Sequence, residues 1–248
     1  MTYRFVIAPD FPPNLFSGWY TLNTLLQKRS HLAVHLETPA SSQEQTQLID
    51  GGDIALVYAN PFDAANLIRE KGYKAIARPI GKSDEMVIVS SAKGDIKTLD
   101  DLKAGSKIAM ADNRDVKLIG LRLLEAVDLT EADVSFEITD TYQAAAKQVA
   151  TGAVDAGFFI AEIYHSLSNL TKMQLNVLIE SDLADITHVL LAKGDLADAD
   201  TIRDVLLSLK DDADGQAVLT ELGMPNGFEA VSEEEAEFMI DLMETLLD

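Results

Sequence analysis

The sequence predicts a two-lobed α/β protein with mixed, mostly parallel sheets and two crossover strands linking the lobes. Three observations predict it. Short apolar runs alternate with amphipathic stretches along the whole chain, the pattern of strands in a sheet with helices on its faces. A segment of the first half returns in the second at a constant spacing. Finally, Glu85-Met86-Val87-Ile88-Val89 and Thr187-His188-Val189-Leu190-Leu191 are similar apolar runs, and each leads into Ala-Lys-Gly-Asp, as a pair of crossovers would.

In chain order, the first apolar run gives a strand at Arg4–Ala8, then a helix Gly18–Arg29, a strand Ala33–Glu37 and a helix Ser42–Asp50 that Gly51-Gly52 stops. Strand Ile54–Tyr58 and helix Pro61–Lys71 follow. The crossover Met86–Ser90 leads to a short helix Leu99–Lys103, strand Lys107–Ala111, helix Asp115–Ala126 and strand Val134–Ile138. Helix Thr141–Thr151 is stopped by Gly152; strand Ala156–Phe159, helix Ala161–Asn169 and strand Asn176–Ile179 come next. His188–Ala192 crosses back. Helices Asp200–Lys210, Asp214–Leu222 and Ser232–Leu247 end the chain, the last opened by a capping box of Ser232 and Glu235. Lobe one is therefore expected at 1–90 with 188–248, and lobe two at 91–187.

The internal echo pairs Ile49 through Tyr58 with Ala150 through Phe159. Aligning Asp53 with Asp155 gives a spacing of 102 (155 − 53 = 102), which also carries Asp10, after the first strand, to Asp112, after Lys107–Ala111. In each half the strands end in loops: Pro9-Asp10-Phe11, Tyr58-Ala59-Asn60, Ala111-Asp112-Asn113 and Ile160-Ala161-Glu162. Open α/β sheets bind ligands outside the carboxyl ends of their strands, so these loops are expected to line one shared cleft.

Composition removes several function classes. With 41 acidic and 20 basic residues the net charge is −21, which opposes nucleic-acid binding because phosphate neutralisation needs clustered Lys and Arg. There is no cysteine, hence no disulfide and no thiolate chemistry. No apolar run is long enough for a transmembrane helix, and the run that follows Met1 reads as a strand rather than a leader. The expectation is an extracytoplasmic protein whose leader was removed, or a cytoplasmic one if Met1 is native. His31, His35, His165 and His188 lack metal-ligand spacing. No nucleophile elbow, phosphate-binding Gly loop or EF-hand pattern is present, so neither metal, cofactor nor enzymatic activity is expected.

Four segments carry a family resemblance: Asp53 through Pro61, Leu99 through Ala109, Gly152 through Gly157, and Leu222-Gly223 through Gly227-Phe228-Glu229. In this order they resemble the substrate-binding proteins of phosphate, phosphite and phosphonate ABC transporters, with the type II periplasmic binding protein fold. The resemblance implies a monomer that closes two lobes on a small polar ligand and hands it to a membrane permease. The alternative on the same fold is a ligand-sensing domain that passes closure to a signalling partner.

The departures bear on specificity. Where the family's phosphonate binders carry a Ser/Thr-rich run at a helix N-terminus, this chain has Asp112-Asn113-Arg114-Asp115-Val116-Lys117; Tyr142 stands where the family has a His. Glu162 matches an acidic position that in the family can accept hydrogen bonds from a ligand. Carboxylates in place of hydroxyls argue against phosphonate itself. The candidate ligand-binding residues are Phe11, Tyr58, Asn60, Glu85, Asp112, Asn113, Arg114, Asp115, Tyr142 and Glu162. Asp112 and Asp115 could equally cap the following helix, while Arg114 suits an anionic ligand group and Glu162 a cationic one.

Overall fold

Short apolar runs become strands, the central ones such as β3 (Leu56–Ala59) and β5 (Met86–Ser91) buried throughout, and they assemble into two sheets. A computed structural model describes the chain except residues 1, 10, 12–14, 182–185 and 248, and the side chains of 246 and 247. It divides into two compact units, one formed by Met1–Ser83 and Asp185–Thr245, the other built from Asp84–Ala184.

The first unit holds strands β1 (Thr2–Ile7), β2 (Ala33–Glu37), β3 (Leu56–Ala59), β4 (Tyr73–Pro79), β10 (Val189–Lys193) and β11 (Phe228–Ala230). They form a sheet of order β11-β4-β10-β3-β1-β2. β1 pairs in parallel with β2 and β3, whereas β10 runs antiparallel to β3 and β4. Alternation along β1 divides the core: Phe5 and Ile7 join Trp19, Leu22 and Leu26 of helix α1 (Phe16–Ser30) on one face. Val6 joins Val57, Leu191 and Leu67 of helix α3 (Pro61–Lys71) on the other, with Met239 of helix α10 (Glu233–Leu247). Helices α2 (Ser42–Gly51), α8 (Ala199–Leu207) and α9 (Ala213–Glu221) complete this unit.

The second unit repeats the plan with β5 (Met86–Ser91), β6 (Lys107–Ala111), β7 (Ser135–Thr139), β8 (Ala156–Ile160) and β9 (Leu175–Glu180), in the order β7-β6-β8-β5-β9. β6 is parallel to β7 and β8, and β5 is antiparallel to β8 and β9. Val87, Val89, Ala109 and Phe159 pack with Ala145, Ala146 and Val149 of helix α5 (Tyr142–Thr151). Helix α4 (Arg114–Leu124) approaches so closely at Gly120 that a Cβ there would lie 2.2 Å from the Phe158 ring.

Several expectations change. β4 and β11 were not anticipated; the Lys, Arg and Pro residues of Tyr73–Pro79 disguise a strand that exists because it pairs with β10 and β11. β5, expected at the end of lobe one, belongs to the second sheet through its pairing with β8 and β9. The helix expected at Ala161–Asn169 is two, α6 (Ala161–Ser166) and α7 (Asn169–Lys172), because the Ser168 hydroxyl accepts from the Thr171 N–H at 3.1 Å and starts a new turn. The short helix expected at Leu99–Lys103 is a 3-10 turn over Leu99–Asp101. The capping box holds: Ser232 accepts from the Glu235 N–H at 3.2 Å, and Glu235 accepts from the Ser232 N–H at 2.9 Å.

Candidate functional site

In the second unit the register brings most of the candidate residues to one end of one sheet. β6, β7 and β8 are parallel, with Ala111 opposite Thr139, so their carboxyl ends lie together. Antiparallel β5 begins at that same end, with Met86 opposite Ile160, and the Glu85 carbonyl accepts from the Ala161 N–H at 2.8 Å. Glu85, the Asp112–Asp115 stretch, Tyr142 and Glu162 thus share the carboxyl end of this sheet.

Local capping sets the orientation of these groups. Asn113, not Asp112 or Asp115, is the N-cap of α4; its Oδ1 accepts from the Val116 N–H at 3.0 Å, and its side chain is buried. Asparagine satisfies one of the helix's orphan N–H groups without adding charge. Asp115 lies in the first turn, 5% exposed, where its carboxylate meets the positive end of the helix dipole. Asp112 and Arg114 are exposed, and Arg114 makes no hydrogen bond or ion pair among the described residues. Tyr142 opens α5 behind the Thr141 cap, its ring 5.9 Å from that of Phe159. Glu162 is an exposed side chain in the first turn of α6; nearby, burial pushes the Tyr164 hydroxyl pKa up.

The first unit gathers the remaining candidates in the same topological place. Ala59 at the end of β3 faces Val189 at the start of antiparallel β10, and the Ala8 N–H donates to the Tyr58 carbonyl at 2.8 Å. Phe11 stacks on Tyr58 with ring centres 5.7 Å apart, and Tyr58 stacks on His188 at 5.5 Å. Trp19 closes the group, 4.7 Å from Tyr58 and 5.6 Å from Phe11. Asn60 caps α3, accepting from the Asp63 N–H at 2.8 Å and donating to the Asp63 carboxylate at 3.2 Å. Asp10, part of the first loop, lies outside the described residues.

The sequence places His188 in a crossover strand and gives it no site role. The residue directly precedes β10 as Glu85 directly precedes β5, a correspondence that needs the two antiparallel pairings to be seen. Among the described residues no group of His, Asp and Glu could hold a metal ion.

Comparison with known families decides the class. The model of the family described as ABC transporter, phosphonate, periplasmic substrate-binding protein matches residues 5–236. The chain belongs to this family. As a phosphonate-type substrate-binding protein it is a transport component and not an enzyme, of a periplasmic family that binds small ligands and delivers them to an ABC permease. PhnD1 from Prochlorococcus marinus in complex with methylphosphonate has a similar fold, with a TM-score of 0.81 at 16% identity over 99% of this chain and 98% of that one. A Xanthomonas citri protein bound to chloride ion gives 0.82 at 13% identity, covering 100% and 99%. The aliphatic sulphonate binding protein SsuA from Escherichia coli gives 0.69 at 18%, covering 99% and 91%. At these identities the likeness concerns the fold, the type II periplasmic binding protein fold. No curated protein sequence matches the chain. No helix among the described residues is long and apolar enough to cross a membrane.

Proposed function

We propose that this substrate-binding protein captures a small polar solute other than phosphate or a simple alkylphosphonate, and that its two units act as lobes that close on it. A solute touching both lobes only in the closed form shifts the population towards closure, which is the signal a permease reads. Phe11, Tyr58 and Asn60 from one lobe and Glu85, Asp112, Asn113, Arg114, Asp115, Tyr142 and Glu162 from the other are the proposed contacts. Their common support is position: each stands at or beside the carboxyl ends of its own sheet's strands.

The observation that carries the exclusion of phosphonate is the N-terminus of α4. A helix N-terminus binds oxyanions through free N–H groups and its dipole. Here Asn113 already occupies the Val116 N–H, and Asp115 places a carboxylate in the same turn. A phosphonate dianion arriving there would meet like charge rather than hydroxyl donors. Isothermal titration with inorganic phosphate and with methylphosphonate tests this: no saturable heat is expected, and a sub-micromolar dissociation constant for either would overturn the exclusion.

Delivery to a permease rather than to a signalling partner, an extracytoplasmic location, and a monomeric state belong to the same reading. The monomer is checked by light scattering at working concentration, where a dimer mass would contradict it.

A further inference from the structure

We infer that the second unit carries a docking patch for an anionic lipid surface, formed by the short helix α7 and the turn that follows β5. Leu170 and Met173 are the two most exposed large apolar side chains among the described residues, at 72% and 78%. Leu170 lies in α7 and Met173 directly ends it, so the two stand three residues apart on one face of the turn. Single exposed apolar residues are ordinary on a protein surface, whereas a neighbouring pair makes a wedge.

The charge around the wedge identifies what it meets. The Ala92 N–H donates to the Gln174 carbonyl at 2.9 Å, and the Asn176 amide donates to the Lys97 carbonyl at 3.1 Å, which lays segment 92–98 beside segment 165–176. These segments hold Lys93, Lys97 and Lys172 against one acid, Asp95, in a chain where acids outnumber basic residues 41 to 20. Lys71, Lys74, Lys117 and Lys193 are each paired with a carboxylate. Lys97 and Lys172 instead donate to backbone carbonyls, of Ala92 at 2.7 Å and of His165 at 2.8 Å, and Lys93 is exposed; among the described residues none of the three joins an ion pair.

Ammonium groups around an apolar wedge suit an anionic leaflet, where phosphates meet the lysines and acyl chains meet Leu170 and Met173. The net charge of −21 does little to oppose this, because physiological salt screens charges beyond about 8 Å. β9 begins opposite the end of β5, with Leu175 against Ser91, so the patch lies at the amino end of this sheet's parallel strands. Glu85 and the other proposed solute contacts of this unit stand at the carboxyl end. Lipid docking and solute capture are therefore separate, and docking holds the protein at the membrane that carries its permease.

Co-sedimentation of the intact chain with vesicles of phosphatidylcholine alone, and of equal parts phosphatidylcholine and phosphatidylglycerol, tests this. Binding to the mixed vesicles is expected, with little to phosphatidylcholine alone and progressive release by added salt. Leu170→Gln combined with Met173→Gln should lower the bound-to-free ratio roughly tenfold or more, since the amides lose the apolar transfer. Lys93→Gln should lower it about fivefold at low salt. These side chains are exposed, so Tm should stay at the parent value; should the double variant lose Tm, Met173→Gln alone gives the same reading with a smaller loss. Phe238→Gln, at an exposed side chain among the acids of α10, should leave binding unchanged.

No binding to either vesicle would overturn the inference, as would mixed-vesicle binding that survives the loss of both Leu170 and Met173. Equal binding to the two vesicle types would overturn the assignment to anionic lipid. Light scattering that shows a dimer in the parent and a monomer in the double variant would overturn it in favour of a second copy of the chain. None of these vesicle results bears on the solute reading.

Discussion

Gly120→Ala separates two opposing effects whose sizes follow from the structure. In an exposed helix the change would stabilise by about 1 kcal/mol, because alanine loses less backbone freedom than glycine. Here the new Cβ would stand 2.2, 2.5 and 2.8 Å from the Cε2, Cδ2 and Cζ atoms of Phe158. Ordinary contact starts near 3.4 Å, so α4 and β8 would have to separate by roughly 1.2 Å (3.4 − 2.2 = 1.2). Phe158 cannot swing away; it is fully buried and holds an edge-on contact with Phe136 at 5.8 Å. Overpacking of this kind costs about 1–3 kcal/mol, so, set against the gain of about 1, the net change is about 0–2 kcal/mol of lost stability. Urea unfolding followed by helical circular dichroism reads it; Trp19, in the other unit, would not. Phe158→Leu makes room for the methyl group, so the double variant should recover about 1 kcal/mol relative to additivity. Because α4 begins at Arg114, its displacement should also weaken solute binding. A Gly120→Ala protein more stable than the parent, or strict additivity with Phe158→Leu, would refute the packing argument.

Three further predictions follow from the same structure. Asn113→Ala removes the α4 cap and should cost about 1 kcal/mol in urea unfolding, whereas Asn113→Asp should keep most of the stability; equal losses would contradict the capping role. Arg4 grips Glu37 with two hydrogen bonds of 2.5 and 2.8 Å, which holds the Glu37 carboxyl below its ordinary range. The unfolded chain then takes up this proton first as pH falls. The contribution is complete above the unfolded value of about 4.3 and is lost as pH drops through the folded one, so Arg4→Met should flatten the acid limb of a stability–pH curve. Arg114→Ala should leave Tm unchanged, since its side chain is exposed and makes no hydrogen bond or ion pair among the described residues; a clear fall in Tm would show a structural role.

Much of the candidate site was legible because loops after parallel strands are where α/β sheets bind, and those strands announce themselves by apolar runs such as Lys107–Ala111, which β6 matches residue for residue. What each residue does there was less legible. Asp112, Asn113 and Asp115 are all competent caps by type, and the choice of Asn113 depends on the backbone turning extended at that residue, with φ −140° and ψ 112°. His188 gave no signal as a site residue, since its place beside Tyr58 and Phe11 exists only once β10 pairs with β3.

Local elements were readable along the chain: most strands and helices, the stops at Gly52 and Gly152, and the capping box at Ser232 and Glu235, all set by apolar runs and short-range hydrogen bonds. The sequence also carried the family resemblance. Which strands share a sheet followed only from long-range pairing. β5 and β10 each insert antiparallel beside the third parallel strand of a unit, and β4 and β11 become strands because a neighbour offers an unpaired edge. Those pairings link residues far apart in the chain, and no local pattern encodes them; they follow from satisfying backbone hydrogen bonds and burying both faces of each sheet.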